Sequence, residues 1–391
     1  MRDLDCRPDT ATHQKRQTGP SQAASGSRKA HPQPARLPPA IVNGERVLPS
    51  RYGAPAPLKR SRHKFIARVT MRMTGSSERQ DVNTIDSGAL DLTPINESMG
   101  AAFPPESLFP DFSPHVFAEA PLVGTMPYYD AEKGKLVSSI HGWTFRLDGK
   151  LVLVDTGRGR HQDKGLANAP FFMSLAAAGI APSDIDMVLL THLHTDHIKN
   201  NTQCIDGRWE PAFRNARYVV GRREYAHWQA DGAGLALYPE QASILREAIT
   251  PIVEAGQLDL IDDDAEVFPG LRAMQVPGHT ATQLAFILEN GPDTFLFAAD
   301  SFHHPLQVYR PDWGSSLCED RATAYRTRMS LLDFCASRNA VLLASHFGGT
   351  HAGLIHRRGE GYGFEPIAIL ARRSLHSKQE VESAGVSRHT A

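Results

Sequence analysis

The chain alternates short apolar runs, which are typical of buried strands, with segments whose apolar residues recur at helical spacing. Residues 137–147 and 151–155 are predicted to form a hairpin around the turn signal Asp148-Gly149-Lys150. The other predicted strands are 185–190, 218–220, 294–300 and 340–346, and the predicted helices are 171–178, 222–229, 240–249 and 319–336. The alternation of the two patterns predicts a fold of the α/β (α+β) class.

The amino-terminal part differs in composition from the remainder. Residues 1–72 carry 15 Lys plus Arg against 4 Asp plus Glu, so their net charge is near +11, whereas the remainder is near −12. This part is rich in Pro, Ser, Ala and Arg, which predicts a disordered basic segment. The alternative is a natural start at Met71 or Met73, with the preceding residues non-native.

These observations predict four parts in the chain, and only one of them is a folded domain. The predicted parts are a disordered or non-native extension at 1–75, a linker or N-terminal arm at 76–119, a folded domain at 120–375 and a flexible tail at 376–391.

The densest chemistry follows the apolar run at 185–190. The segment Thr191-His192-Leu193-His194-Thr195-Asp196-His197 places three imidazoles and a carboxylate within six residues. In an extended segment His192 and His194 project to the same side and can share one metal, while Asp196 and His197 turn toward a second. Neutral imidazole and carboxylate are the ligands of zinc sites that keep a position open for water.

Three more candidate ligands follow along the chain, each where an apolar strand or a turn ends. His279 lies in the Pro-Gly turn at 276–280, Asp300 ends the run 294–300, and His346 ends the run 340–346. Each residue alone is compatible with an ordinary loop. Their common placement at strand ends is what indicates one joint site, because strand ends are where α/β folds carry their chemistry.

This order of residues, HxHxDH followed by His, Asp and His, resembles the metallo-β-lactamase superfamily over about residues 120–360. The resemblance implies an αββα sandwich with two metal ions at one sheet edge. It assigns His192, His194 and His279 to one ion, Asp196, His197 and His346 to the other, and Asp300 to both. Asp155, in the run 151–157, would orient a metal-binding residue rather than bind metal itself.

Within the superfamily, the spacing resembles the acyl-homoserine lactonase and methyl parathion hydrolase group. His194 stands where iron-binding members carry glutamate, so we expect two Zn²⁺ per chain, with other divalent metals as alternatives. Asp300 stands where common β-lactamases carry cysteine, which argues against antibiotic hydrolysis. Two positions depart from the pattern of the lactonases and bear on the substrate. Lys199 introduces a long cation beside the motif, and His303 stands where the lactonases carry a tyrosine.

The resemblance predicts a hydrolase that cleaves an ester-type bond with a metal-bridging hydroxide, because two metal ions about 3.5 to 4 Å apart make hydroxide available near neutral pH. Asp196, Asp300 and His303 are the predicted catalytic residues, and Phe302, Trp209 and Trp313 the predicted substrate contacts. A lactone similar to acyl-homoserine lactones is the first expected substrate. The alternatives are an organophosphate or aryl-ester hydrolase and a non-catalytic metal-binding scaffold.

Charge and hydropathy limit the classes of partner that we expect this chain to bind. The acidic folded part disfavours nucleic acid, and no stretch of about eighteen apolar residues supports a membrane span. No apolar signal segment opens the chain, so a cytoplasmic location is predicted. The expected partner is a small ester or lactone, and a homodimer is expected by resemblance.

Overall fold

The structure, a computed structural model, describes residues 83–86, 90, 92–159 and 165–370. The strands are β1 (Asn83–Asp86), β2 (Thr93–Phe103), β3 (Tyr129–Asp130), β4 (Lys135–Leu147), β5 (Lys150–Val154), β6 (Met187–Leu189), β7 (Thr202–Ile205), β8 (Arg208–Pro211), β9 (Arg217–Gly221), β10 (Leu258–Ile261), β11 (Glu266–Phe268), β12 (Leu271–Gln275), β13 (Leu284–Asn290), β14 (Asp293–Phe297), β15 (Val341–Leu343), β16 (Ala352–Arg358) and β17 (Gly361–Leu370).

The helices are mostly short. They are α1 (Pro105–Leu108), α2 (Val116–Glu119), α3 (Pro170–Ala177), α4 (Thr195–Ile198), α5 (Arg222–His227), α6 (Ala233–Leu237), α7 (Gln241–Ala248), α8 (Thr250–Glu254), α9 (Leu306–Tyr309) and α10 (Arg321–Arg338). The longest of them, α10, begins after Asp320, whose carboxylate accepts hydrogen bonds from the backbone amides of Ala322 and Thr323. It ends at Asn339, which has the left-handed conformation of a helix C-cap.

Two mixed sheets form the centre of the fold. One has the strand order β10-β9-β6-β5-β4-β2, with β3 also paired to β4, and the other has the order β1-β17-β16-β15-β14-β13-β12-β11. β7 and β8 form a separate hairpin. The parallel pairs β5–β6 and β6–β9 place the ends of these strands at the same sheet edge. In the second sheet, the parallel pair β14–β15 likewise places the ends of its strands at one edge.

Side-chain alternation produces four layers. In β5, Val152 and Val154 pack between the two sheets, whereas Leu151 and Leu153 pack against the helices on the outer face. The second sheet shows the same alternation of side chains. Phe286 of β13 faces the first sheet, and its neighbours on the strand pack toward α10. Strands buried on both faces must be apolar at nearly every position, which explains their continuous runs. The arrangement is the predicted αββα sandwich.

Most of the predicted elements occur, with ends shifted by a few residues. The hairpin at 137–155 is confirmed as β4 and β5, and its turn residues Asp148 and Gly149 both have positive φ. The helix predicted at 319–336 is α10, shifted by two residues because the capping side chain of Asp320 determines its start. The strands predicted at 185–190 and 340–346 are shorter, at Met187–Leu189 and Val341–Leu343, and the residues after each of them belong to loops of the site.

Within the predicted arm at 76–119, the described residues form β1, β2, α1 and α2, and both strands belong to the sheets. β2 pairs with β4 over most of its length, and β1 pairs with β17. The predictions for 1–75 and for 376–391 lie outside the described residues. Of the helices described, none is both long and apolar enough to cross a lipid bilayer.

Gly142 provides a test of the close packing between β4 and β5. A Cβ atom at this position would lie 2.4 Å from the carbonyl oxygen of Asp155 and 2.8 Å from that of Val154. We expect Gly142→Ala to destabilise the fold by about 1–3 kcal/mol, because backbone atoms must move apart. Gly100→Ala is the matched control, since a Cβ there meets nothing within 4 Å. Equal thermal unfolding midpoints for the two variants would contradict this packing.

Candidate metal centre

The site is built around the buried carboxylate of Asp155, directly after β5. Asp155 has a φ of 56°, in the left-handed region. One of its oxygens accepts from the backbone amide of Thr191 at 2.9 Å, and the other accepts from the Thr191 hydroxyl at 2.8 Å. The second oxygen also lies 2.8 Å from Nδ1 of His197. Asp155 therefore joins the end of β5 to both ends of the histidine-rich loop after β6.

These hydrogen bonds determine which nitrogen of each imidazole faces inward. A carboxylate only accepts, so Nδ1 of His197 carries a proton and Nε2 faces the site. The Thr191 hydroxyl donates its hydrogen to Asp155, so its oxygen accepts from Nδ1 of His192 at 3.1 Å. The backbone carbonyl of Ser139 accepts from Nδ1 of His346 at 2.9 Å. All three Nε2 atoms are thus directed to one region, where a bound cation would take their lone pairs.

Three imidazole nitrogens from separate loop positions meet at one point. Nδ1 of His194 lies 3.1 Å from Nε2 of His192 and 2.9 Å from Nε2 of His279. Nitrogens that share a tetrahedral Zn²⁺ at 2.0–2.1 Å would be about 3.3 Å apart. Lone pairs at such short separations repel one another unless a proton or a metal cation lies among them.

Asp300, at the end of β14, lies between this trio and a second group. One carboxylate oxygen is 3.3 Å from Nε2 of His279 and 2.9 Å from Nε2 of His346. The other oxygen is 3.3 Å from Nε2 of His197. Asp196 is also near, 3.9 Å from Nε2 of both His197 and His346. The second group therefore contains two imidazoles and a carboxylate, with Asp300 shared.

Burial gives two of the imidazoles the neutral state that suits a metal ligand. It holds the pKa of His192 and of His279 well below the usual value, so both are neutral. Burial alone would raise the pKa of Asp300, but the imidazoles of His346 and His197 outweigh it and hold that pKa well below its usual range. The carboxylate is therefore ionised. Burial alone would lower the pKa of His197 and of His346, but the Asp300 carboxylate outweighs it and raises both, so a metal ion would displace protons from these two rings.

The donor set fits two divalent cations. Buried Nε2 of His197 and one Asp300 oxygen have no hydrogen-bond partner among the described residues, although leaving such atoms unpaired is costly. Ligand atoms of His192, His194 and His279 lie within 4.8 Å of one another, as do those of Asp196, His197 and His346. Imidazole with carboxylate suits zinc, and the hydrogen bonds behind each histidine resemble those that orient zinc ligands.

Comparison with known proteins identifies the family. The sequence profile of the metallo-beta-lactamase superfamily matches residues 141–346, which is more than half of the chain and includes every candidate ligand. The chain belongs to this superfamily.

Relatives within the metallo-beta-lactamase superfamily agree with this assignment. N-acyl homoserine lactonases of Bacillus thuringiensis and of a Bacillus species are each 27% identical, over 175 and 155 residues. These segments cover 40% and 35% of this chain and 61% and 53% of the lactonases, so less than two thirds of either relative is matched.

Solved structures show the same fold. The hydrolase AbOPH superposes with a TM-score of 0.62 at 22% identity, over 72% of this chain and 96% of its own. AidC, a dizinc quorum-quenching lactonase, superposes with a TM-score of 0.60 at 22% identity, over 74% of this chain and 98% of its own. These likenesses concern the fold.

In this superfamily member, the candidate metal centre opens into a cleft of about 680 Å³. Five of the seven predicted ligands contribute to its surface, namely His194, Asp196, His279, Asp300 and His346. Edge strand β2 forms one wall, and apolar side chains there and opposite it include Met99, Phe103, Leu108, Ile140 and Leu317. His303 also lines the cleft, with Nε2 3.7 Å from an Asp300 oxygen.

The three aromatic side chains predicted to contact substrate do not line this cleft. Phe302 and Trp313 are buried in the core between the second sheet and α10. Phe302 has extended backbone angles, so its side chain and that of His303 point to opposite sides. Trp209 lies on β8, with the ammonium group of Lys199 4.6 Å from its ring centre.

Lys199 does not extend a cation toward the metal ligands, contrary to the prediction. Lys199 follows α4, does not line the cleft and forms an ion pair with Glu247 of α7.

Glu224, at the start of α5, is a site residue that the sequence analysis missed. Its fully buried carboxylate accepts from the amide of Leu193 at 3.0 Å and from the indole of Trp228 at 2.6 Å. It also accepts from the hydroxyls of Thr280 and Thr282 at 3.1 and 2.6 Å. Glu224 thus connects the His192–His194 loop with the His279 loop. In the sequence it belongs to an ordinary charged helix start, Arg222-Arg223-Glu224, and carries no distinguishing signal.

Asp155 provides a test of the inward lone pairs. In Asp155→Asn, an amide N–H must face either the Thr191 amide or Nδ1 of His197, so either the anchored histidine loop or the proton position on His197 is disfavoured. We expect metal affinity to fall about 10- to 100-fold while the fold is retained. Asp186→Asn is the matched control, because Asp186 accepts from the Leu151 amide in the same sheet, away from the site. Equal zinc retention by the two variants during dialysis against a weak chelator would contradict the role of Asp155.

Proposed function

We propose that this chain is a dinuclear zinc hydrolase that cleaves an ester-type bond, with lactones as the leading substrate class. The observation that carries the proposal is the pair of adjacent donor groups that share Asp300 on the surface of an open cleft. Membership of the superfamily supports metal-dependent hydrolysis. The names of the Bacillus relatives support a lactone.

The ligand assignment that we propose has two parts. His192, His194 and His279 would hold one ion, and Asp196, His197 and His346 would hold the other. Asp300 would serve both, in keeping with the short distances from its oxygens to imidazoles of both groups. Asp155 stays outside the ligand set, because its oxygens are already engaged by Thr191 and His197.

Two zinc ions held there would supply an activated water nucleophile and a Lewis acid for the substrate carbonyl. The residues of the chain provide the rest. Asp196 and Asp300 contribute the negative charge that balances the cations, and Asp300 is placed to accept a hydrogen bond from the attacking water. The apolar wall of Met99, Phe103 and Leu317 shields the non-reacting part of an ester from water.

His303 is our candidate for the hydrogen bond to a substrate oxygen. Both of its ring nitrogens lack a hydrogen-bond partner among the described residues, and the side chain lines the cleft beside Asp300. Burial lowers the pKa of His303 to about 4, so the ring is neutral at physiological pH and keeps one N–H to donate. It can donate to a carbonyl or leaving-group oxygen without acquiring a charge.

Metal content and hydrolysis measured together test the proposed function. We expect about two zinc ions per chain and cleavage of an acyl lactone that a chelator abolishes and zinc restores. An aryl ester and an aryl phosphotriester complete the panel, and their rates relative to the lactone identify the preferred bond. Protein that holds two zinc ions and cleaves none of the three would refute the proposal.

His303→Gln separates substrate contact from metal binding. We expect kcat to fall about 100-fold or more, because the flexible amide of glutamine does not hold its N–H at the position of the imidazole donor, with zinc content unchanged. His304→Gln is the comparison, since His304 is buried but bonds to the Tyr128 carbonyl outside the cleft. It should lower thermal stability and leave the kcat of the folded protein close to wild type. Unchanged kcat in His303→Gln would remove His303 from the mechanism.

A further inference from the structure

The charges that line the cleft are unevenly distributed. Of the described lining residues, only Asp196 and Asp300 are acidic, and both belong to the candidate metal centre. Arg158 is the only arginine or lysine among these described lining residues. When metal ions are bound, the two carboxylates are engaged by them and the cleft carries net positive charge. Such a cleft attracts anions, and an arginine beside it supplies directional hydrogen bonds to an oxyanion.

The backbone that carries Arg158 is held by buried groups. The amide of Arg158 donates to the carboxylate of Glu97, which is buried on β2. Gly157 has a φ of 78°, and a Cβ there would lie 2.4 Å from the same carboxylate, so the turn requires glycine. The amide of Thr156 donates to the carbonyl of His197 at 2.7 Å. The position of Arg158 relative to the metal ligands is therefore determined by the fold.

The guanidinium group itself remains available. Its Nη2 atom lies 3.6 Å from an oxygen of Asp196, which is longer than a hydrogen bond, and 54% of the side chain is exposed. A planar guanidinium has five N–H donors and pairs with carboxylate or phosphate through two parallel hydrogen bonds. Arg158 thus presents donors within the cleft that no described residue accepts, next to a candidate metal ligand.

We propose that Arg158 binds an oxyanion of the substrate, so that the preferred ester or lactone carries a carboxylate or phosphate group near the scissile bond. This inference rests on the proposed function and names its substrate class. The bond broken is the ester bond, and the oxyanion takes no part in the chemistry. It orients the substrate by pairing with Arg158 while the carbonyl faces the metal centre.

Matched γ-lactones test the proposal with the zinc-loaded protein. One carries a carboxylate on the ring, one carries the neutral carboxamide at the same position, and one carries a phosphate on a hydroxymethyl arm. We expect kcat/KM for the better anionic lactone to exceed that of the carboxamide about tenfold or more, mainly through KM. The larger of the two anionic preferences identifies carboxylate or phosphate, and high salt should reduce it.

Arg158→Gln should bring the ratio of anionic to neutral kcat/KM close to one. Arg214→Gln is the matched control, because Arg214 is an exposed arginine 3.3 Å from the carboxylate of Glu210 and does not line the cleft. It should keep the wild-type ratio. Calorimetry with the ring-opened products needs no turnover. Arg158→Gln should weaken binding of the dicarboxylate, formed from the carboxylate lactone, more than binding of the monocarboxylate formed from the carboxamide lactone.

The outcomes separate this inference from the proposed function. Cleavage of the lactones without anionic preference, or a preference that survives Arg158→Gln, overturns the role of Arg158 and leaves the hydrolase proposal intact. Equal losses on all three lactones with reduced zinc content would show that Arg158 acts through Asp196 instead. If no lactone is cleaved, the proposed function fails, and equal binding of the two products by wild type and variant would overturn the oxyanion site as well.

Discussion

The orientation of imidazole lone pairs is the constraint on which the site depends. Four of the five candidate ligand histidines present Nε2 to the centre, and His194 presents Nδ1. For His192, His197 and His346 a fixed acceptor behind the ring enforces this choice. Asp155 acts in two of the three cases, directly on His197 and through the Thr191 hydroxyl on His192. A metal site requires this uniformity, because one inverted ring would direct a proton at the cation.

The sandwich brings these acceptors and donors together. Asp155 follows β5, the histidine-rich loop follows β6, Asp300 follows β14 and His346 follows β15. Parallel pairing within each sheet sets neighbouring strand ends side by side, and the apolar interface between the sheets holds the two edges in contact. Phe145 of one sheet stacks on Phe297 of the other at 5.4 Å, within the layer beneath the site. Apolar packing thus positions a polar centre that could not assemble by its own interactions.

Such a centre carries an electrostatic cost in the absence of a cation. Neutral nitrogens face one another at about 3 Å, and buried carboxylate and imidazole atoms lack partners among the described residues. A bound cation removes both penalties, so metal binding and fold stability are coupled. Glu224 lessens the cost locally, because its four accepted hydrogen bonds hold two ligand loops in place before any ion arrives.

The sequence by itself determined the alternation of apolar runs, and thereby the layers, because strands buried on both faces require apolar residues throughout. It also determined the candidate ligands, since imidazole and carboxylate at successive strand ends have few other uses. Only the tertiary structure decided which ring nitrogens face inward, that Lys199 turns away and that Phe302 and Trp313 enter the core. It also revealed Glu224 and Arg158 at the site. These features depend on side-chain directions set by contacts between distant segments, and such directions leave no local pattern in the chain.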